Sequence, residues 1–527
     1  MTETDVDSRV RGTVNMISND IYASKRFCIE DIFHRSALDH NLQVNIQRNT
    51  ALTLDHFQDL LERLPSLRAS FRNPNHAWNS LYMYLMKMRT ALPDEDIARI
   101  FKITRVTVER QQKRVREAMN QDFIFEHVNY VRNREELINS NTIIGSRLFC
   151  ADDTDRVLLI CDGTYIYINK SRNYEFQKKT YTDQKKRNFV KIMMCLTCDG
   201  TITNALGPFP ANENDAEILR SICENSNFLE MFREGDVFIL DRGFRDCVNF
   251  LKEKRFGVKM PALLQKSQNK HQLSTEEANE TRLVTATRYV VETRNGHLKT
   301  IFKMFDKVWN PLQLKHLMDD VSICSALINL YFKPLISNRG MENEIADRML
   351  RRVNTSSILS KVVAKPTFER NLKKFELFDD FESLPLLTER DLIYIALGRY
   401  QIKQAESYCQ EHLKENDSRF PVFILPDNLC REFLPTLFEN DRNLKLLLVQ
   451  LKSRFVSKKR HNTFILIDEN GTDENVIVSY CCDCFNGART VGCCSHVMCL
   501  VWFTLFKKNR DIPEPASFLD KYFPLVA

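Results

Sequence analysis

Apolar and polar positions change rhythm along this chain, and each change announces a different kind of element. Residues 1–75 are polar and irregular, with some helical periodicity over 54–67. From Trp78 the spacing turns helical: SLYMYLMKMRT is followed by LPDEDIARIFKITRVTVERQQKRVREAM, in which Pro93 and Asp94 open one short helix and Thr104 caps the next. Ile97, Phe101, Ile103 and Val106 are then expected to form the small core of a helix-turn-helix. Over 156–334 strand rhythm takes over, with VLLICDGTYIYI, FVKIMMCLTC and ITNALGP, then VFIL and GVKMPAL, and helices expected near 216–223, 246–254 and 281–305. Residues 336–387 read as polar helices and linker. After them come a helix, IYIALGRYQIKQAESYCQEHL, and the strand-like FPVFILP, RFVSKKRHNTFILID and VIVSY.

Three of these frames hold an acid. Asp162 follows an apolar run and opens the alternation of Thr164, Ile166 and Ile168 against Tyr165 and Tyr167, which is how a strand with one covered face reads. Asp241 ends the apolar run VFIL and precedes Arg242 and Gly243, the pattern of a buried strand that ends at a sheet edge. Glu292 sits beside the stripe of Leu283, Val290, Leu298, Ile301 and Phe305, on the helix expected over 281–305. Singly, an Asp near a Gly is a turn former, and Arg288 with Glu292 at i, i+4 is a surface ion pair. Taken in order, on strand, strand and helix, the three fit a divalent-metal phosphodiesterase. Two hard cations roughly 3.5–4 Å apart neutralise the attacking and leaving oxygens when carboxylates hold them.

Three antiparallel strands leading into crossovers give an α/β fold with RNase H-like topology, in which Asp162 and Asp241 lie on neighbouring strands and the Glu292 helix packs across them. The downstream strands and helix make a small α+β module.

Composition adds a partner. The 527 residues carry a formal net charge of +6, with 43% hydrophobic and 27% charged residues, which is ordinary for a soluble globular protein. The opening MTETDVDSRVRGTVNM has no apolar signal region, and runs such as VMCLVWFTLF fall short of the roughly 20 residues that span a bilayer, so a soluble intracellular protein without a membrane partner is expected. Over 170–191 eight cations (Lys170, Arg172, Lys178, Lys179, Lys185, Lys186, Arg187, Lys191) face two acids, Glu175 and Asp183, with Tyr174, Phe176 and Tyr181 between them. That mix suits phosphate contact with base stacking; the alternative is a solvated loop. Arg105, Arg110, Lys113, Arg114 and Arg116 are expected on the outer face of the second helix of the helix-turn-helix, as a major-groove reader needs; the alternative is a plain helical hairpin. The patch 452–461 reads as a strand edge guarded by lysines, or as a second phosphate contact.

Six of the sixteen cysteines fall within YCCDCFNGARTVGCCSHVMC. Cys482 and Cys484 form C-x-C, and Cys494 and His496 form C-x-H after nine intervening residues. Three thiolates and an imidazole complete a tetrahedral structural Zn2+ site, for which Gly487 and Gly492 let the loop turn tightly. Cys481 and Cys493 are neighbours able to replace a ligand, and a redox or incidental cluster is the alternative.

These residues resemble PIF/Harbinger-like DDE transposases, specifically transposon-derived proteins that join a DDE domain to a SWIM-type zinc finger. The likeness rests on the helix-turn-helix segment, on CDGTYIYI, GPFPANENDAEIL, ILDRGF and VVETRNGHLK in that order, and on ALGRYQIKQAESYCQEHL with CDCFNGARTVGCCSHV. It implies an N-terminal region of unassigned role over 1–75, DNA binding over 76–125, a DDE nuclease over 155–335, a helical linker over 336–390 and a C-terminal region over 391–527, with the finger at about 465–505. It implies catalytic, metal-holding Asp162, Asp241 and Glu292 for two Mg2+ or Mn2+ ions, an accessory Asp215, and Zn2+ on Cys482, Cys484, Cys494 and His496. The expected partner is DNA at transposon terminal repeats, contacted by Arg105, Arg110, Lys113, Arg114, Lys178, Lys179, Lys185, Lys186 and Arg187, in the nucleus; a homo-oligomer and an accessory protein are both compatible. Cleavage and joining of DNA ends is the implied activity. A domesticated DNA- or chromatin-binding derivative without cleavage, and an RNA-directed nuclease, are the competing readings.

Overall fold

The computed structural model describes residues 40–512 except 151–152, 265–270, 337–339, 416–419, 439–441, 455, 457, 509 and 511. Two sheets organise them. In the first, β3 (Arg187–Leu196) pairs antiparallel with both β1 (Leu158–Tyr167) and β4 (Ile202–Pro210), with the short β2 (Tyr181–Thr182) also on β3. On the other side of β1, β5 (Val237–Ile239) and then β6 (Gly257–Lys259) add in parallel. The antiparallel trio and the parallel pair are those the strand rhythm predicts.

Period-two alternation divides β1 between two cores. Leu158, Ile160 and Ile166 join a large cluster with helices Pro74–Thr90, Thr275–Ile301 and Leu317–Tyr331; Leu159 and Cys161 join a second cluster under helix Asp215–Asn225. The apolar run before Asp162 is continuous because both faces of the sheet are covered. The helix expected over 281–305 runs as Thr275–Ile301, opened by a capping box on Ser274 and Glu277. The helix expected near 246–254 is a 3-10 turn, Arg242–Cys247, followed by Val248–Glu253.

Helices Asp94–Phe101 and Arg105–Asp122 meet through a tight turn at Lys102–Thr104, with Thr104 capping the second. Their core is Met83, Ile97, Ala98 and Val108, backed by Phe101 and Ile103. Val106, expected inside, is 70% exposed: the helix starts at Arg105, so its inward stripe begins at Val108. Arg116, expected on the outer face, is buried in a bidentate pair with Asp320 at 2.6 and 3.0 Å, and Tyr84 donates to the same carboxylate at 2.8 Å.

The second sheet runs β11 (Ile477–Cys482), β10 (Arg460–Asp468), β9 (Leu444–Lys452), β8 (Val422–Ile424) and β7 (Glu376–Phe378), all antiparallel. Clusters cover both its faces. Strands β7 and β9 are absent from the sequence reading, β7 because it is three residues long inside the stretch read as linker. The 452–461 patch is the tip of the β9–β10 hairpin: Lys452 pairs with Arg460 beyond the registers of β8 and β11, and Arg454, Lys458, Lys459 and Arg460 are exposed. The expected single helix over 393–413 breaks at left-handed Leu397 into Glu389–Ala396 and Tyr400–Glu415. Among the described residues, no helix is long and apolar enough to cross a membrane.

Candidate functional site

Alternation carries the face of Ile160 on to Asp162, beneath helix Thr275–Ile301. Ile160 pairs with Ile239, so two residues on, Asp162 lies level with Asp241 just past the end of β5. Asp241 occupies the cap position of the Arg242–Cys247 turn yet accepts no capping hydrogen bond there, which leaves its carboxylate available. Burial drives the Asp162 carboxyl up to about 7; Asp241, Asp215 and Glu292 push the same way, while Arg288 opposes. Four acids therefore act on one another around β1.

Asp215, given an accessory role by the resemblance, lies against β1. Its carboxylate lies where a side chain at 163 would be, 3.0 Å from the position of a Cβ on Gly163, and 3.6 Å from that on Gly243. Gly163 is a mid-strand residue, so its use here is clearance rather than a turn. Lys191 holds Asp215 at 2.9 Å and donates to the Glu213 carbonyl at 2.6 Å. This lysine, counted with the basic segment, is buried in the site.

Glu292 is 60% exposed and paired with Arg288, whose own side chain is mostly buried. The surface-pair reading of Arg288 and Glu292 thus describes one half of the pair. Arg288 supplies positive charge to Asp162 while holding Glu292 outward. Asn295, one turn beyond Glu292, donates to Asp162 Oδ2 at 3.2 Å, and its own Oδ1 is buried without a partner. Sequence reading missed Asn295, Lys191 and Arg288 as members of the site; the i, i+3 step from Glu292 was the available signal for Asn295. Acids from four elements, with Lys191 and Arg288 among them, offer the oxygen ligands that divalent cations prefer, though their ligand atoms are not gathered as those of a closed metal shell are.

The expected basic contacts fall on two surfaces. Lys178 and Lys179 end the exposed helix Tyr174–Thr180, and Lys185, Lys186 and Arg187 form the β2–β3 hairpin. Lys185 and Arg187 stand over Tyr165 and Tyr167, on the strand of Asp162, at 5.7 and 5.3 Å from the ring centres. On helix Arg105–Asp122, Arg105 pairs with Glu95 and Glu109, Lys113 with Glu117, and Arg114 covers Phe71, while Arg110 is exposed.

Cys482 at the end of β11, Cys484, Cys494 and His496 bring four ligand atoms within 4.8 Å of one another. Among the described residues no other set of three or more such groups is gathered in this way. Cys494 caps helix Ser495–Val501, and its sulfur accepts from Val497 N–H at 3.4 Å. The Cys482 sulfur accepts from Cys484 N–H at 3.4 Å and Thr463 hydroxyl at 3.3 Å. His496 presents Nδ1 to Cys482 at 3.7 Å, while Nε2 meets Tyr408 hydroxyl at 3.2 Å. Such donors and such a histidine partner suit a thiolate zinc set. Two buried arginines, Arg282 and Arg489, each leave Nε unpartnered. Burial, with Arg489 beside it, lowers Arg282 to about 9. Cys481 points to the opposite face of β11, into the other cluster, and is not gathered.

None of the curated proteins matches the chain. Among solved structures, "Crystal structure of a pre-cleavage Mos1 transpososome" aligns at 10% identity and TM-score 0.21, and "Mos1 transposase paired-end complex with left transposon end" at 13% and 0.20. Each alignment covers 52% of this chain and 79% of the other; likeness this low carries no weight for fold or function. Residues 161–329, the segment that holds Asp162, Asp215, Asp241 and Glu292, match the family of DDE superfamily endonucleases.

Proposed function

We propose that the chain is a metal-dependent DNA endonuclease of the transposase type, acting in the nucleus on transposon terminal repeats, with an RNase H-like core. The observation that carries it is the convergence of Asp162, Asp215, Asp241 and Glu292 around β1, inside the segment that matches the endonuclease family. In this reading Asp162, Asp241 and Glu292 hold two Mg2+ or Mn2+ ions, which supply Lewis acidity at the attacking and leaving oxygens. Asn295 orients Asp162, and Lys191 holds Asp215 in place. The hairpin with Lys185, Lys186 and Arg187, together with Lys178 and Lys179, tracks the phosphate backbone beside the acids. Arg110, with Arg105, Lys113 and Arg114, faces the major groove. Cys482, Cys484, Cys494 and His496 hold structural zinc in a SWIM-type finger, as in Harbinger-like proteins. Assembly as a homo-oligomer and an accessory DNA-binding protein both fit this reading.

A second reading has support from one feature: Glu292 is turned out on Arg288, as in a DNA-binding derivative that no longer cuts. Nicking of duplex DNA with Mg2+ or Mn2+, by the parent and Asp162→Asn, separates the two. Cleavage by the parent alone supports the nuclease; equal cleavage by both, or none by either, sinks it. Matched RNA duplexes in the same assay report on the RNA-directed alternative.

A further inference from the structure

The loop between the two Cys/His pairs is docked on the start of helix Thr275–Ile301 and on the turn after β5. Gln272 Nε2 donates to the carbonyls of Cys482 at 2.5 Å and Cys484 at 2.8 Å, and Leu273 N–H donates to the Phe485 carbonyl at 3.1 Å. Two residues later begins the helix that carries Arg288, Glu292 and Asn295. Within its first turns Asn279 is a two-way clamp: Oδ1 accepts from the N–H groups of Thr490 and Val491 at 2.8 and 3.0 Å, and Nδ2 donates to the Thr490 hydroxyl at 2.8 Å and the Val353 carbonyl at 2.9 Å. Asn279 is fully buried. The same loop reaches the turn after β5, where the guanidinium of Arg242, the residue following Asp241, lies 5.3 Å from the centre of the Phe485 ring.

We propose that this loop is a positioning element of the carboxylate site, with Phe485 the residue that sets the Asp241 turn through Arg242, and Gln272 and Asn279 the residues that seat the Glu292 helix. The proposal rests on the reading of the acids as a divalent-metal site. The Asp241 turn carries no capping hydrogen bond and is anchored from beneath by Phe244 and Cys247, and the Glu292 helix is seated on the core by Val284, Val290, Val291 and Leu298; the loop adds polar and ring contacts at the outer edge of both. Both segments are fastened to the loop, and its backbone carbonyls and Phe485 are occupied by these contacts. The loop is therefore turned towards the nuclease and not towards DNA. Rigid support of this kind is what a metal-binding carboxylate set needs, since small displacements of its ligands weaken it.

The test uses the full chain with Phe485→Ala and Gln272→Ala, reading zinc per chain, Mn2+ affinity by titration calorimetry, and amide exchange across the 275–292 helix. The expected result is unchanged zinc, Mn2+ affinity weakened five- to tenfold, and faster exchange in the helix. Unchanged Mn2+ affinity in both variants overturns the proposal. Loss of zinc in both also overturns it, because the contacts would then serve the zinc set rather than the acids. Weaker binding of duplex DNA without divalent ions, alongside unchanged Mn2+ affinity, would mark the loop as a DNA contact and overturn it as well. Asp162→Asn in parallel keeps the two readings apart: if it leaves Mn2+ binding intact, the carboxylate reading fails, whatever Phe485 does.

Discussion

The Cys/His set and the acid set are both suited to metal, and they are built in opposite ways. Cys482, Cys484, Cys494 and His496 come from one short stretch of chain, lie in a buried cluster, and are each oriented by a donor or a neighbour. Closing so short a loop costs little entropy, so the four ligands are readily brought together. The acids come from β1, a helix start, a turn and a long helix, and each has a different counterpart: Asn295, Lys191, no cap bond, Arg288. Long-range convergence buries Asp162 among other acids, and its carboxyl is raised by that burial first and by Asp241, Asp215 and Glu292 after it. A gathered, closed shell suits a structural ion; a strained, partly open one suits ions that must admit substrate.

The strongest way to break the contrast is Cys494→Ala. Structural zinc contributes about 10 kcal/mol or more to folding of small zinc modules. The variant is expected to lose its zinc and the cooperative unfolding of the C-terminal sheet, measured by metal analysis and thermal melting. Zinc content equal to the parent's would mean that the ligand set is wrong.

Asp162→Asn should act with the reverse sign. The folded state keeps a proton on Asp162 up to about 7, whereas the unfolded chain releases it near the usual value of 3.8. As pH rises between these values, the parent loses stability, and above 7 the full cost of the buried charge is present. Without divalent ions the variant is expected to be more stable by about 2–4 kcal/mol at pH 8, with a smaller gain at pH 5. Added Mg2+ should narrow the gap by stabilising the parent. A gap that is independent of pH would refute the account of Asp162.

Arg288→Ala probes the openness of the acid set. Freed from its partner and from a competing cation, Glu292 should turn inward, and Mn2+ affinity should rise about tenfold, close to 1.4 kcal/mol. No change would show that Arg288 does not hold Glu292 out. The smallest expected effect belongs to Asn295→Leu, which removes one hydrogen bond to Asp162, worth about 1 kcal/mol. Mn2+ binding should weaken several-fold with the fold retained, as calorimetry with a melting curve would report.

What could be read from sequence followed local physics. The strands around Asp162 and Asp241 were legible because a sheet covered on both faces writes a continuous apolar run, and the Cys/His pairs because thiols at that spacing have few other uses. Residues whose roles depend on distant partners were not. Arg116 looks like its helical neighbours until Asp320, 204 residues away, is placed beside it. Lys191 belongs by composition to a basic stretch and by alternation to the interior of β3. Gly163 reads as a turn until Asp215 is seen to need the space. Strand β9 was missed because LKLLLVQLK serves a helix or a buried strand equally well.

The Arg116–Asp320 pair has a mechanical consequence. It ties the far half of helix Arg105–Asp122 to the helix behind the sheet, and with Val108 of the near half packed on Met83, Ile97 and Ala98 the pair of helices is a stiff arm rather than a tethered head. A stiff arm measures: on a duplex with about 10 base pairs per turn, a contact made by Arg110 and a cut made at Asp162 would keep a set separation and a set rotational phase. Moving the two points apart by half a turn would present the wrong side of the helix to the acids, whereas a flexible tether would be indifferent to such a shift.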